Sequence, residues 1–200
     1  GLKTLLDTQV ETLEQWIAEG RNEAARLAAD PDLADAIARL VRGDADGKRI
    51  IEDLLHEAGR IGITAAHVID AQGAILASSM AGRAGRGATP DFFSHLAPAL
   101  SGQPVFVRPR HGGGAQPGHA WVAAPVRAGN GRIIAVIALG SPAEQRFADL
   151  FKVARPGETG ESLAFDAEGW LLSESRHAEA LRQRGLAPRL LLPDSDTPTR

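Results

Sequence analysis

Two predicted strands carry side chains that are well suited to hold a small anion. Phe106 and Arg108 alternate on one segment, and His119 and Trp121 alternate on the next. Because residues two apart on a strand point to the same face, each pair predicts one shared surface. An Arg guanidinium binds a carboxylate through two parallel hydrogen bonds, and aromatic rings exclude water from that contact. With both surfaces on one side of a sheet, the four residues would form a site for a small carboxylate.

Two further residues complete this predicted ligand site. Ser79 ends a predicted strand and offers a hydroxyl group, and Phe93 lies on a helix predicted to follow that strand. The alternative interpretation is structural. It places the aromatic residues in an ordinary core, leaves the charged residues at solvated strand ends, and gives Ser79 only the role of ending its strand. Both interpretations stay open at the level of the sequence.

Signals for catalysis, metals and cofactors are weak. Residues 173–177 contain a nucleophile and a base, but adjacency along the chain does not create the geometry of a catalytic triad. His67, His111 and His119 have no carboxylate placed to complete a metal shell, and the chain contains no cysteine. The sequence therefore predicts no catalytic residues, no metal and no cofactor. A small hydrolase is the least favoured class.

The charge balance argues against a nucleic-acid partner. The 200 residues include 22 Lys and Arg against 25 Asp and Glu, which gives a net charge of −3. No excess of positive charge is present to neutralise phosphates. No apolar run approaches the roughly 18–20 residues that cross a bilayer. Since the chain starts at Gly1 without an initiator Met, we expect a piece of a longer protein whose flanks hold membrane segments.

Hydrophobic periodicity predicts the elements that position these residues. Apolar residues at three- and four-residue steps indicate a helix of almost thirty residues, ended by Asp30 and Pro31, and two shorter helices at 32–41 and 48–58. From residue 63 the period changes to two. The predicted strands are 63–70, 74–79, 105–108, 119–127 and 132–139, with a helix at 90–100 between the second and third. This pattern predicts an α+β fold, a five-stranded antiparallel sheet packed on a long N-terminal helix.

A short internal repeat indicates a second module. Residues 164–170 and 68–74 both read apolar, apolar, Asp, Ala, polar, Gly, apolar. Repeats of this kind point to related structural units. The second unit has only two predicted strands and a helix, too little to bury a core, so we interpret it as truncated. The predicted domains are the N-terminal helices at 1–60, the sheet module at 61–141, and a linker helix with the truncated module at 142–200.

The order of these segments resembles a known family. The long helix is followed by VIDAQGAILASS at 68–79, GQPVF at 102–106, WVAAPV at 121–126 and IAVIAL at 134–139. This succession resembles the Cache domain, a PAS-like extracytoplasmic sensor fold, and residues 155–169 resemble the entry to the membrane-proximal module of a double Cache. The chain lacks Tyr and an Arg-x-Trp pair, so it departs from the amino-acid-binding pattern of that family.

The resemblance implies a ligand-sensing domain of a bacterial receptor on the periplasmic side of the inner membrane. Its output, such as a histidine kinase, a cyclase or a chemotaxis transducer, would lie outside this chain. We expect a non-enzymatic module that binds a small molecule, with organic acids favoured, and that transmits the signal through the long helix. The alternative is a ligand-free structural module in which the long helix forms a homodimer.

Overall fold

A computed structural model describes residues 2–44, 46–109, 118–143 and 183–184. The chain divides into two compact units. One, the sheet unit, comprises residues 13–108 and 120–141, and the other comprises residues 1–12, 109–119 and 142–200. The predicted module at 142–200 lies outside the described residues except for residues 142–143 and 183–184. The predicted domain boundaries after residues 60 and 141 stay predictions.

Three helices precede the sheet, and capping side chains fix where the second and third begin. Asp30 accepts a hydrogen bond from the Leu33 amide at 3.0 Å, and Asp46 accepts one from the Lys48 amide at 2.9 Å. Such caps satisfy amides that have no partner within the helix. The helices are α1 Leu2–Ala28, α2 Pro31–Val41 and α3 Gly47–Ala58, followed by a 3-10 turn at Gly59–Ile61. The 27 residues of α1 span about 40 Å. None of the described helices combines the length and apolar character that crossing a bilayer requires.

Five strands form one antiparallel sheet, which confirms the predicted fold class. The strands are β1 Ala65–Asp70, β2 Ile75–Ser78, β3 Val105–Val107, β4 His119–Arg127 and β5 Ile133–Pro142, in the spatial order β2-β1-β5-β4-β3. The helix predicted at 90–100 is two short helices, α4 Pro90–His95 and α5 Ala97–Leu100. Pro98 explains the break, because its ring conflicts with the carbonyl four residues earlier in a continuous helix.

The two hairpin turns form as the sequence predicts. One Asp70 carboxylate oxygen accepts hydrogen bonds from the amides of Gln72 and Ala74, at 2.9 and 2.8 Å. Gly73 in this turn has a φ of +88°, a conformation that glycine adopts without strain. The turn between β4 and β5 closes through the Ala128 amide, which donates to the Arg132 carbonyl at 2.9 Å. These turns set the strand register that places the side chains described below.

The sheet separates two apolar layers, because successive side chains on a strand point to opposite faces. The helix face packs against α1, α2 and α3. The insert face packs against α4 and α5. Sheet residues of the helix face include Ala66, Val68, Val122, Ala124, Ile137 and Leu139. Those of the insert face are Ala65, Ile69, Ile75, Val107, Trp121, Ala123, Val136 and Ala138.

Candidate functional site

The Trp121 side chain lies directly across the neighbouring strand β5 on the insert face. An ideal Cβ built on Gly140 of β5 would come within 2.9 Å of both Cε3 and Cζ3 of the indole. Real Cβ atoms do not approach a ring carbon this closely, so the indole occupies the space that any other residue at position 140 would need. A glycine inside a strand often marks such a close approach. Trp121 is only 9% exposed in this position.

On the far side of β5, the indole meets His67. His67 lies on β1 opposite Ala138 of β5, and Gly140 lies opposite Ala65. The imidazole and indole rings are stacked, with centroids 4.6 Å apart and an interplanar angle of 19°. His67 is 5% exposed. The contact therefore joins strands β4 and β1 across the glycine of β5.

Phe92 of α4 completes a cluster of three rings. Its ring is edge-on to Trp121, with centroids 5.5 Å apart, and edge-on to His67 at 6.5 Å. Edge-to-face and offset-stacked geometries are the favourable ones, because they bring the positive ring edge to the negative ring face. We call His67, Phe92 and Trp121 the aromatic cluster. It connects the sheet to the first inserted helix.

The surroundings of the aromatic cluster are apolar. Phe93 of α4 packs over the hairpin turn, where an ideal Cβ on Gly73 would lie 3.1 Å from its ring. Buried Leu96 and Ala99 close one side. Partly buried apolar side chains surround this buried layer, namely Met80, Ala88, Phe92, Phe93, Leu100 and Val105. This layer offers apolar contact area and ring faces, and His67 adds an imidazole to it.

The structure places Phe106 on the opposite face from Trp121. Trp121 lies opposite Val107 in the β3–β4 ladder, and Phe106 lies opposite Val122. Phe106 packs in the layer against α1, where its ring meets Trp16 edge-on at 5.8 Å. The expectation that Phe106 and Trp121 share a face is therefore wrong. Alternation along each strand is as expected, but the register between the two strands differs, and a shift of one residue exchanges the faces.

The remaining predicted residues lie at strand ends. Arg108 follows the last residue of β3, and its side chain is exposed. His119 is the first residue of β4 and is half-buried, and this burial lowers the pKa of its imidazole. Ser79 pairs with Ala66 of β1, since its amide donates to the Ala66 carbonyl and its Oγ accepts from the Ala66 amide, each at 2.9 Å. Of the six predicted site residues, Trp121 and Phe93 belong to the hydrophobic layer of the insert face.

Sequence reasoning did not include His67, Phe92 or Gly140 in the ligand site. The available signal was Gly140, an isolated glycine directly after the apolar run of a predicted strand. From the sequence, His67 was considered only as a possible metal ligand. Within residues 2–44, 46–109 and 118–143, no group of three His, Asp or Glu side chains is arranged to hold a metal ion.

A groove of about 690 Å³ between α1, α2 and α3 has a structural explanation. Its charged lining includes Asp30 and Asp46, which cap α2 and α3. Arg26 in the same lining donates two hydrogen bonds to Glu23, both at 2.8 Å, and this contact lowers the pKa of the Glu23 carboxyl. Several of its charged groups thus already stabilise the helices that form it.

The likeness to known proteins is one of structure. No protein-family model and no curated protein matches this chain. The sensor domain of Escherichia coli DcuS matches with a TM-score of 0.55 and 19% identity, over 70% of this chain and 96% of that one. The sensor domain of the Vibrio cholerae histidine kinase DctB matches with a TM-score of 0.59 and 17% identity, over 98% of this chain and 76% of that one.

A chemoreceptor shows the same likeness. The sensory domain of Campylobacter jejuni Tlp3, with isoleucine bound, matches with a TM-score of 0.58 and 15% identity, over 94% of this chain and 73% of that one. At these identities the likeness concerns the fold. It agrees with the element order and sheet described above, and with the resemblance to Cache domains. The chain has the fold of PAS-like periplasmic sensor domains.

Proposed function

We propose that this chain is a non-enzymatic ligand-sensing domain of a bacterial signal-transduction receptor. A small molecule binds on the insert face of the sheet, between the strands and the helices α4 and α5. The observation that carries the proposal is the aromatic cluster, in which His67 and Trp121 are buried and Phe92 is partly buried, with the partly buried side chains Met80 and Phe93 at its border. Small-molecule sites are typically lined by such apolar and aromatic groups. The isoleucine bound to the Tlp3 sensory domain supports small-molecule sensing in this fold.

The proposed ligand belongs to the small organic acids. Arg108 supplies the guanidinium for its carboxylate, and the exposed position of this side chain beyond β3 leaves it available to solvent and ligand. His119 and the hydroxyl of Ser79 are the predicted polar groups at the other strand ends. Phe106 is not part of the proposed ligand site, because its ring packs against Trp16 of α1 rather than in the insert layer.

The proposed signal leaves the sheet unit through α1. Val122 follows Trp121 on β4 and faces α1, where an ideal Cβ on Gly20 would lie 3.0 Å from its Cγ1. A ligand that displaces Trp121 therefore acts on the residue next to a tight contact with the helix. The shift that a ligand can produce is limited by its difference in affinity for the two states. In the full receptor, α1 would lead from the periplasm to a membrane segment, and a kinase or chemotaxis output would follow.

The second candidate function is a structural module that holds two receptor copies together without a ligand. One observation favours it, since Val10 on α1 is an apolar side chain with 54% exposure. A homodimer through α1 would cover it. In that case sedimentation gives a mass that rises with protein concentration, and small molecules leave the melting temperature unchanged.

The proposed function is tested by thermal unfolding of the chain with a library of small organic acids, amines and amino acids. We expect at least one organic acid to raise the melting temperature, because a ligand that binds only the folded state stabilises it. The substitution Arg108→Ala should reduce that shift, and Arg132→Ala, at an exposed position in the β4–β5 turn, is the matched control. A shift equal in native and Arg108→Ala proteins removes Arg108 from the site. No shift with any compound contradicts the sensing function itself.

A further inference from the structure

The turn between β4 and β5 carries the dipeptide Asn130-Gly131 at its tip. The chain has two asparagines, Asn22 and Asn130, and only the second is followed by glycine. Both residues of the dipeptide are exposed. An asparagine loses ammonia when the next backbone nitrogen attacks its side-chain Cγ. A following glycine leaves that attack unhindered, because it has no Cβ and allows a close approach of the backbone. The turn tip therefore carries a reactive side-chain amide.

Two hydrogen bonds hold the groups that would react. The Gly131 amide donates to the Ala128 carbonyl at 2.8 Å. The Oδ1 atom of Asn130 accepts from the Arg132 amide at 3.1 Å. The Gly131 nitrogen attacks Cγ only after its N–H has left the Ala128 carbonyl. The closed turn therefore opposes the reaction, and the side-chain amide reacts when the tip opens locally.

Arg127 is the side chain that keeps the tip closed. Its Nη1 donates to the Gly131 carbonyl at 2.9 Å. Its Nη2 lies against the loop before β3, where an ideal Cβ on Gly102 would come within 2.6 Å of it. Arg127 thus connects the turn tip to a neighbouring loop. Arg132 of the same turn is exposed, and its side chain makes no hydrogen bond or ion pair in the described part of the structure.

We propose that Asn130 is a site of spontaneous modification, and that Arg127 is a positioning residue that controls the rate. When the tip opens, the Gly131 nitrogen bonds to Cγ of Asn130, the Cγ–Nδ2 bond breaks, and the amide proton leaves with the nitrogen as ammonia. Water then opens the cyclic imide and forms aspartate or isoaspartate. Either product adds a negative charge beside Arg127. Aspartate keeps an acceptor for the Arg132 amide, whereas isoaspartate adds a methylene group to the main chain of the turn. This site is independent of the proposed ligand site.

The test follows the acidic product of the whole chain at mildly alkaline pH, by ion-exchange chromatography and peptide mapping. We expect the new charge at Asn130 and none at Asn22, which lies within α1 and is followed by Glu23. Arg127→Ala should speed the reaction by roughly two- to tenfold, the factor that corresponds to the loss of one hydrogen bond. The rate follows the population of the open tip, because opening and closing are fast relative to the chemical step.

The matched control is Arg132→Ala, which removes the same charge from the same turn without removing a side-chain contact. Its rate should equal that of the native protein. In urea, where the turn is lost, the native chain and both variants should react at one rate, above that of the folded native protein. Equal rates for the folded native and Arg127→Ala proteins would show that Arg127 does not control the tip. A chain that gains no charge at Asn130 even in urea would overturn the modification site itself.

Discussion

At the scale of single residues, glycine positions decide where rings lie. Gly73 and Gly140 each face an aromatic ring at close range. An ideal Cβ would lie 3.1 Å from Phe93, which is tighter than most Cβ contacts, and 2.9 Å from Trp121, which is closer than real Cβ atoms approach. The two glycines place these rings on the same face of the sheet, one over the hairpin turn and one over β5. The positions of these two rings on the insert face therefore depend on the absence of a side chain at Gly73 and Gly140.

His119 makes the stability of the fold depend on pH. Burial lowers the pKa of its imidazole from the ordinary value of 6.5. As the pH falls below 6.5, the unfolded chain takes up a proton at this residue before the folded chain does, and the free energy of unfolding decreases. Above that value the contribution is fully present. We expect His119→Gln to flatten the pH dependence of the melting temperature below pH 7. Parallel curves for the two proteins would contradict this role.

At the scale of elements, α1 packs against β4 through a position without a side chain. An ideal Cβ on Gly20 lies 3.0 Å from Val122 Cγ1, so a larger residue here overpacks the interface. We expect Gly20→Leu to lower the free energy of unfolding by roughly 1–3 kcal/mol, measured by urea denaturation.

Gly59→Ala is the matched control for this substitution. A Cβ at Gly59 meets no atom within 4 Å, and its φ of −59° suits any residue. The control should be neutral or stabilise by about 0.4–1 kcal/mol, since alanine restricts the unfolded chain more than glycine does. Equal stability of the two variants would show that α1 does not press on β4 at this point.

The sequence predicted the elements well because each carries a strong local pattern. The long helix, both hairpin turns and β4 follow from hydrophobic period, capping residues and the turn chemistry of Asp70 and Gly131. The break at Pro98 and the face of Phe106 did not follow. To predict the break, the effect of the single proline must be judged stronger than the apolar helical pattern around it. The second depends on the register of β3 against β4, which the alternation within each strand leaves free.

The candidate site was predicted less completely for the same physical reason. Trp121 and Phe93 were identified as aromatic residues near the inserted helix, and both lie on the insert face. Their partner His67 is more than fifty residues before Trp121 in the chain. Only the order β1-β5-β4 in the sheet brings the two rings together. A single sequence contains no direct record of that strand order.

At the scale of the whole molecule, the strand order predicts how the sheet resists local opening. Strand β5 is central, pairs with β1 and is buried along most of its length, whereas β3 is a three-residue edge strand with two partly exposed side chains. Protection from amide exchange follows local burial and pairing. In hydrogen–deuterium exchange, we expect the amides of β5 and β1 to exchange last and those of β3 well before them. Amides of β3 that outlast those of β5 would contradict this sheet order.

The adjacency of Trp121 and Val122 bears on how such a domain can be redesigned. One peptide bond joins two side chains that belong to opposite cores, so a substitution at either position disturbs both. Effects at residues in contact do not add. A redesign of this scaffold should therefore randomise positions 20, 121, 122 and 140 together. Scanning them one at a time would discard combinations whose members are each harmful alone.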